Sequence, residues 1–143
     1  MYYSAWGDPP MIVRTEMDGS HPTTLVRFSS WSTHAPSALA IDIDENLLYW
    51  VGDRDPSLQY IDLRYPNSEI VYHIDFSNYL HMPTGLALDA HYFYWTDWLL
   101  GNVIRASRNP DQEIVELIPY QYTPRGVNIY NPYDVQGIKR ATS

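Results

Sequence analysis

The sequence predicts an all-β chain built from repeated units of four short strands, and three observations carry that reading. The 143 residues include 13 Tyr, 5 Trp and 11 Pro, a mixture that suits half-buried pleated strands punctuated by turns. The apolar runs are short and alternate, and none has the length or 3.6-residue spacing of a helix. Above all, the order of runs and turns recurs at a nearly constant interval. From Tyr2-Tyr3 to Tyr49-Trp50 is 47 residues, and from there to Tyr94-Trp95 is 45.

Each unit reads the same way. A proline opens a short alternating run: Pro36 leads into ALAID, Pro83 into GLALD and Pro124 into GVNIY. The strand with the aromatic pair comes next, followed by a turn. A third run follows, MIVRTEM, LQYIDL or NVIRAS, then another turn, DGSHP, RYPNS or RNPDQ. A last apolar run closes the unit: TTLVRF, EIVYHI or EIVELI. Four-stranded units of about 40–50 residues are the mark of β-propeller blades. An irregular β-sandwich is the alternative, but a sandwich has no reason to repeat its strand order at a fixed period.

The boundaries expected are a partial blade at 1–35, blades at 36–82 and 83–123, a closing or next-blade strand at 124–137, and a tail at 138–143. That is three strands, then four, four and one: twelve strands, or three blades' worth. Standing alone, such an arc leaves two flanks of apolar side chains open to water. Three completions follow: a longer chain supplies the remaining blades, a second copy closes a head-to-tail ring, or the arc stays open.

Composition removes several function classes. The net charge is −8 and no basic stripe is present, which sets nucleic-acid binding aside. An acidic surface suits a basic partner. Without Cys there is neither a disulfide framework nor a Cys-ligated metal site, although a secreted domain can do without disulfides. No apolar run approaches the roughly 20 residues that span a bilayer, and no secretory leader opens the chain. Direct membrane contact is not expected of this segment.

Sites for metal or catalysis are weak. Asp42-Ile43-Asp44-Glu45-Asn46 begins like a calcium loop with Asp53 at its twelfth position, but Leu47 stands where the turn needs Gly. It reads as a polar turn between strands. The five histidines, His21, His34, His73, His81 and His91, lack ligand spacing and read as loop or strand-end residues. Nucleophile elbows and phosphate loops are missing. A propeller hydrolase with a central calcium would draw on Glu16, Asp89 and Asn128, and is the enzyme alternative. No cofactor is expected.

Tyr94-Trp95-Thr96-Asp97, set in PTGLALDAHYFYWTDWLLGNVIRAS, resembles the YWTD signature of the low-density lipoprotein receptor class B repeat. YYSAWGDPPMIVRTEMDGS and PRGVNIYNPYDVQG are similar to other parts of that family's pattern, so the resemblance runs from Met1 to about Gly137. It implies about half of a six-bladed propeller in a receptor ectodomain, extracellular and non-enzymatic. Propellers of this family bind protein ligands in endocytic lipoprotein receptors and Wnt co-receptors. The motif is whole only once: Ala5 and Gly52 occupy the aspartate's place in the other units, and Asp53 is displaced by one. The role read for Asp97 is to accept backbone or hydroxyl hydrogen bonds where neighbouring blades join. Trp50 and Trp95 alternate to the same side as apolar neighbours and read as core, beside Tyr49, Tyr94 and Thr96.

For a ligand, interface hot spots favour Trp, Tyr and Arg. The residues expected to serve are Trp98 just after the signature, Trp6 at the matching place, and Arg125 at the start of an innermost strand. Asp8 and Asp53 would add negative charge for a basic protein ligand. The alternative is a structural propeller segment with no binding of its own.

Overall fold

A computed structural model describes residues 1–29, 35–52, 55–65, 67–76, 82–109, 111–118 and 124–129. Among them the strands are β1 Tyr2–Ala5, β2 Met11–Arg14, β3 Thr23–Arg27, β4 Pro36–Asp42, β5 Leu47–Gly52 and β6 Ser57–Asp62. They continue as β7 Val71–Asp75, β8 Pro83–Leu88, β9 Tyr92–Asp97, β10 Asn102–Ser107 and β11 Val115–Ile118. Sequential antiparallel pairing gives three sheets, β1-β2-β3, β4-β5-β6-β7 and β8-β9-β10-β11. These are the first, second and third blades.

The repeat extends to the irregularities. In every blade the outer pair slips register at one place: between Ile12 and Val13, Leu58 and Gln59, and Val103 and Ile104. Each slip falls just before the residue paired with the second aromatic, since Val13 faces Tyr3, Gln59 faces Trp50 and Ile104 faces Trp95. A bulge strengthens the right-handed twist, so all three blades twist at the same point. The inner pairs slip between Pro36 and Ala38 and between Pro83 and Gly85. Proline cannot donate to a ladder and belongs at the start of an edge strand.

The extra residues in those inner bulges are Ser37 and Thr84, and a bulge re-aims the side chain it carries. Ser37 Oγ donates to the Pro83 carbonyl at 2.6 Å, and Thr84 Oγ1 to the Pro124 carbonyl at 3.0 Å. In the first blade the donor to the next opening proline is Trp6, whose Nε1 lies 2.7 Å from the Pro36 carbonyl. Each opening proline therefore offers its carbonyl to the blade before it.

The core lies between blades. The second aromatic of a pair faces the blade before, and the first faces the blade after. Trp50 packs with Ile12, Val26 and Phe28 of blade one, and Phe28 meets its ring edge-on at 6.1 Å. Tyr49 packs across the other joint on Phe93, with ring centroids 4.8 Å apart, and Trp95 stacks on Phe76 at 5.4 Å. Trp50 and Trp95 are buried, as is Phe93, whose burial alone contributes about 1.5–3 kcal/mol.

Of the closing or next-blade strand expected over 124–137, the structure describes residues 124–129, which run without strand pairing, and the rest lies outside the described residues. Residues 124–129 pass beside β8, where a Cβ on Gly85 would stand 2.8 Å from the Gly126 Cα. An innermost strand ladders only on its outer side, and no such neighbour follows Pro124 among the described residues. His73, expected at a strand end or loop, sits instead within β7, half-buried among Tyr49, Tyr60 and Phe93 at 5.4–5.9 Å. Period-two alternation alone did not reveal that it faces the joint between blades two and three.

Candidate functional site

Antiparallel pairing brings the starts of β4 and β8 to the same end as the ends of β1, β5 and β9. The residues that follow the aromatic-pair strands therefore meet the residues that open the innermost ones. Trp6 follows β1, Trp98 follows β9, and Arg125 follows Pro124. With Ser37, Met82, Pro83 and Thr84 they line one open groove of about 350 Å³.

Local chemistry holds each wall in place. Asp97 is fully buried, and its carboxylate accepts the amides of Met82 at 2.9 Å, Leu99 at 3.0 Å and Leu100 at 2.9 Å. It thus pins the segment entering β8 to the end of β9 and caps the turn that carries Trp98. Gly101 closes that turn at φ 66°, donating to the Asp97 carbonyl at 3.0 Å; a positive φ is easiest for glycine. The Trp98 amide donates to the Met82 carbonyl at 3.0 Å, leaving the indole 41% exposed. Trp6 is 51% exposed even though its ring nitrogen is engaged. Thr96 is buried with its hydroxyl 3.3 Å from that of Thr84.

Trp98, Trp6 and Arg125 therefore come together from three different units, the third, the first and the fourth. Asp8 is exposed in the turn after Trp6 but does not line the groove, and Asp53 lies outside the described residues. Ser37, Thr84 and Met82 were missed from the sequence. For Ser37 and Thr84 the signal was present at the place just after each opening proline, held by Ser37, Thr84 and Arg125 in turn. Leu99 and Leu100, each 43% exposed, extend apolar surface beside Trp98, and adjoining exposed apolar groups mark contact sites.

The opposite end has different chemistry. A cavity of about 730 Å³ there is lined by Asp42, Asp44, Asp89, Arg108 and Asn128 with apolar residues of β4 and β8. Arg108 crosses from blade three to pair with the Asp42 carboxylate of blade two. Burial pushes the Asp42 carboxyl up, but the Glu45 amide and the Arg108 guanidinium outweigh it and hold the group below its ordinary value. Burial raises Tyr49, against the opposing effect of Arg108. The His73 ring lies 3.0 Å from the Arg108 carbonyl and donates to it through Nε2, while burial keeps the ring below its ordinary pKa.

Asp42 turns inward to the Glu45 amide at 3.0 Å and to Arg108, so the Asp42–Asn46 stretch is a polar turn. Asp89 and Asn128 share the cavity wall but Glu16 does not. The Asp89 carboxylate is occupied by the amides of His91 and Tyr92 and by the Tyr94 hydroxyl. Among the described residues no group of three or more His, Cys, Asp or Glu is placed to hold a metal.

Repeated antiparallel blades with an aromatic pair in the second strand, buried Trp50 and Trp95 between blades, a buried YWTD aspartate and successive blades tied in series define a YWTD-type β-propeller module. The chain belongs to the YWTD-repeat family of low-density-lipoprotein-receptor-related proteins. It is 28% identical over 132 residues to the vitellogenin receptor of Drosophila melanogaster, which covers 92% of the chain and 6% of that receptor. It is 34% identical over 103 residues to human low-density lipoprotein receptor-related protein 5, covering 72% of the chain and 6% of that protein. The chain thus spans a small part of the curated relatives it matches. The fold matches a solved nidogen/laminin complex with a TM-score of 0.74 at 22% identity, covering 89% of this chain and 46% of that one. It also matches a gluconolactonase of Xanthomonas campestris with a TM-score of 0.61 at 16% identity, covering 82% and 37%. No protein-family model matches.

Proposed function

We propose that the chain is an extracellular, non-enzymatic module of a low-density-lipoprotein-receptor-related receptor, and that it binds a protein ligand in the groove of Trp6, Trp98 and Arg125. The observation that carries this reading is the convergence of two exposed indoles and one guanidinium from three different units on one groove. Trp and Arg are the residues that dominate interface energies. An apolar or aromatic side chain fits between the indoles, with an acidic or amide group against Arg125. Basic flanks of the ligand meet Asp8, Asp53 and the overall charge of −8, which quickens encounter more than it tightens binding. Receptors among the relatives and a nidogen/laminin complex among the structural matches support a protein partner. Further blades, or a second copy, cover the free flanks of blades one and three.

A random peptide library selected on the chain tests the groove. Selected peptides lose at least tenfold in affinity on Trp98→Ala and on Arg125→Ala, with folding unchanged. Peptides that bind both variants as tightly as the parent chain would show that the groove is not the binding face.

A further inference from the structure

We infer that the flank of blade three that no other described strand covers carries a receptor site for an arginine of another blade, formed by Asp89 and Tyr94. The inference rests on the reading that a further blade covers this flank. It is independent of the groove at the opposite end.

The template is the joint between blades two and three. There Arg108 pairs with the carboxylate of Asp42, and its guanidinium opposes the rise that burial gives the Tyr49 hydroxyl. Asp42 stands six residues after Pro36, and Tyr49 is the first aromatic of its pair. In blade three the same places hold Asp89, six residues after Pro83, and Tyr94. The arginine-binding pair is therefore repeated one blade on.

The two copies differ in what sits between their members. Asp42 and Tyr49 are buried, and the guanidinium is paired with the carboxylate. Asp89 and Tyr94 are half-buried, and the phenol closes directly on the carboxylate at 2.9 Å. A planar guanidinium with five donors satisfies a carboxylate and a hydroxyl together, which a lysine ammonium does less well. Asp89 keeps its other oxygen on the amides of His91 and Tyr92, both at 2.8 Å. The turn that presents it is therefore already built.

The occupant is a blade that packs on blade three as blade three packs on blade two. Arg108 lies four residues beyond Ile104, the partner of Trp95. Four residues beyond Val13, the partner of Tyr3, this chain has Met17, which is 83% exposed. A second copy laying its own first blade here would bring a thioether to the carboxylate. A different blade, with arginine at that place, supplies the guanidinium that Arg108 supplies to Asp42.

The test is an NMR titration of the folded chain with arginine amide and, separately, lysine amide. Arginine amide gives saturable shifts of the Tyr94 ring signals and binds at least fivefold tighter than lysine amide. Asp89→Asn, which keeps an oxygen for the two turn amides, abolishes the response, and Trp98→Ala leaves it unchanged. Equal binding of the two amides, or a response that survives Asp89→Asn, overturns the site. Sedimentation equilibrium tests the occupant: self-association is the same for the parent chain and Asp89→Asn. A dimer weakened at least tenfold by Asp89→Asn would assign the flank to a second copy and overturn the choice of a different blade.

Discussion

Replacing Asp97 with alanine removes the acceptor of three backbone amides, and their surroundings set the cost. The Met82 amide lies in a partly buried segment, and leaving such a donor unpaired costs about 1–3 kcal/mol. The amides of Leu99 and Leu100 belong to residues that are each 43% exposed. Water replaces part of what they lose, leaving about 0.5–1 kcal/mol apiece. Asp97→Ala is therefore expected to destabilise the chain by about 2–5 kcal/mol. Asp97→Asn, which keeps one oxygen, is expected to cost about half as much. Urea unfolding measures both, and the comparison is valid where the slope m is unchanged. A loss below about 0.5 kcal/mol for Asp97→Ala would refute this account of the carboxylate. Ala5 and Gly52 at the matching places make that a real test, since the same fold forms there without the aspartate.

Two further outcomes are expected. Gly85→Ala sets a Cβ 2.8 Å from the Gly126 Cα and 3.0 Å from the Val127 amide nitrogen, contacts with backbone that has little room to yield. It should cost about 1–3 kcal/mol in thermal or urea unfolding, whereas Gly126→Ala, with nothing within 4 Å of its added Cβ, should change stability by no more than about 0.5 kcal/mol. Burial lowers the folded-state pKa of His73, so the unfolded chain takes up a proton first as pH falls below about 6.5. The stability linked to this ring is fully present above that pH and is lost as pH falls towards the folded pKa. His73→Phe should flatten that part of a stability–pH profile, and an unaltered slope would assign it to other groups.

The blades were legible because their signals are local. Period-two alternation, turn residues and the repeated aromatic pair place strands without knowledge of what they touch, and Trp50 and Trp95 are buried where alternation puts them. Links between blades were harder to read. The ties from Trp6, Ser37 and Thr84 to Pro36, Pro83 and Pro124 join residues 30–46 positions apart, and Arg108 reaches back 66 to Asp42. Local pattern does not encode such reach; only comparison of equivalent places across units does. Residues 124–129 run unpaired for a related reason, since a favourable alternating run still needs a ladder partner. Within the groove, Trp6, Trp98 and Arg125 were visible as residue types at strand ends. Asp8 was visible in the same way but lies off the groove, because proximity along the chain does not say which way a turn faces.

Hydrogen–deuterium exchange of the chain, with and without a peptide selected for binding it, tests the proposed groove most directly. The account predicts protection confined to the segments around Met82–Thr84, Trp98–Gly101 and Arg125–Val127. Protection centred on the opposite end, around Asp62–Tyr65 and Asp89–Tyr92, with none at Trp98 and Arg125, would contradict it.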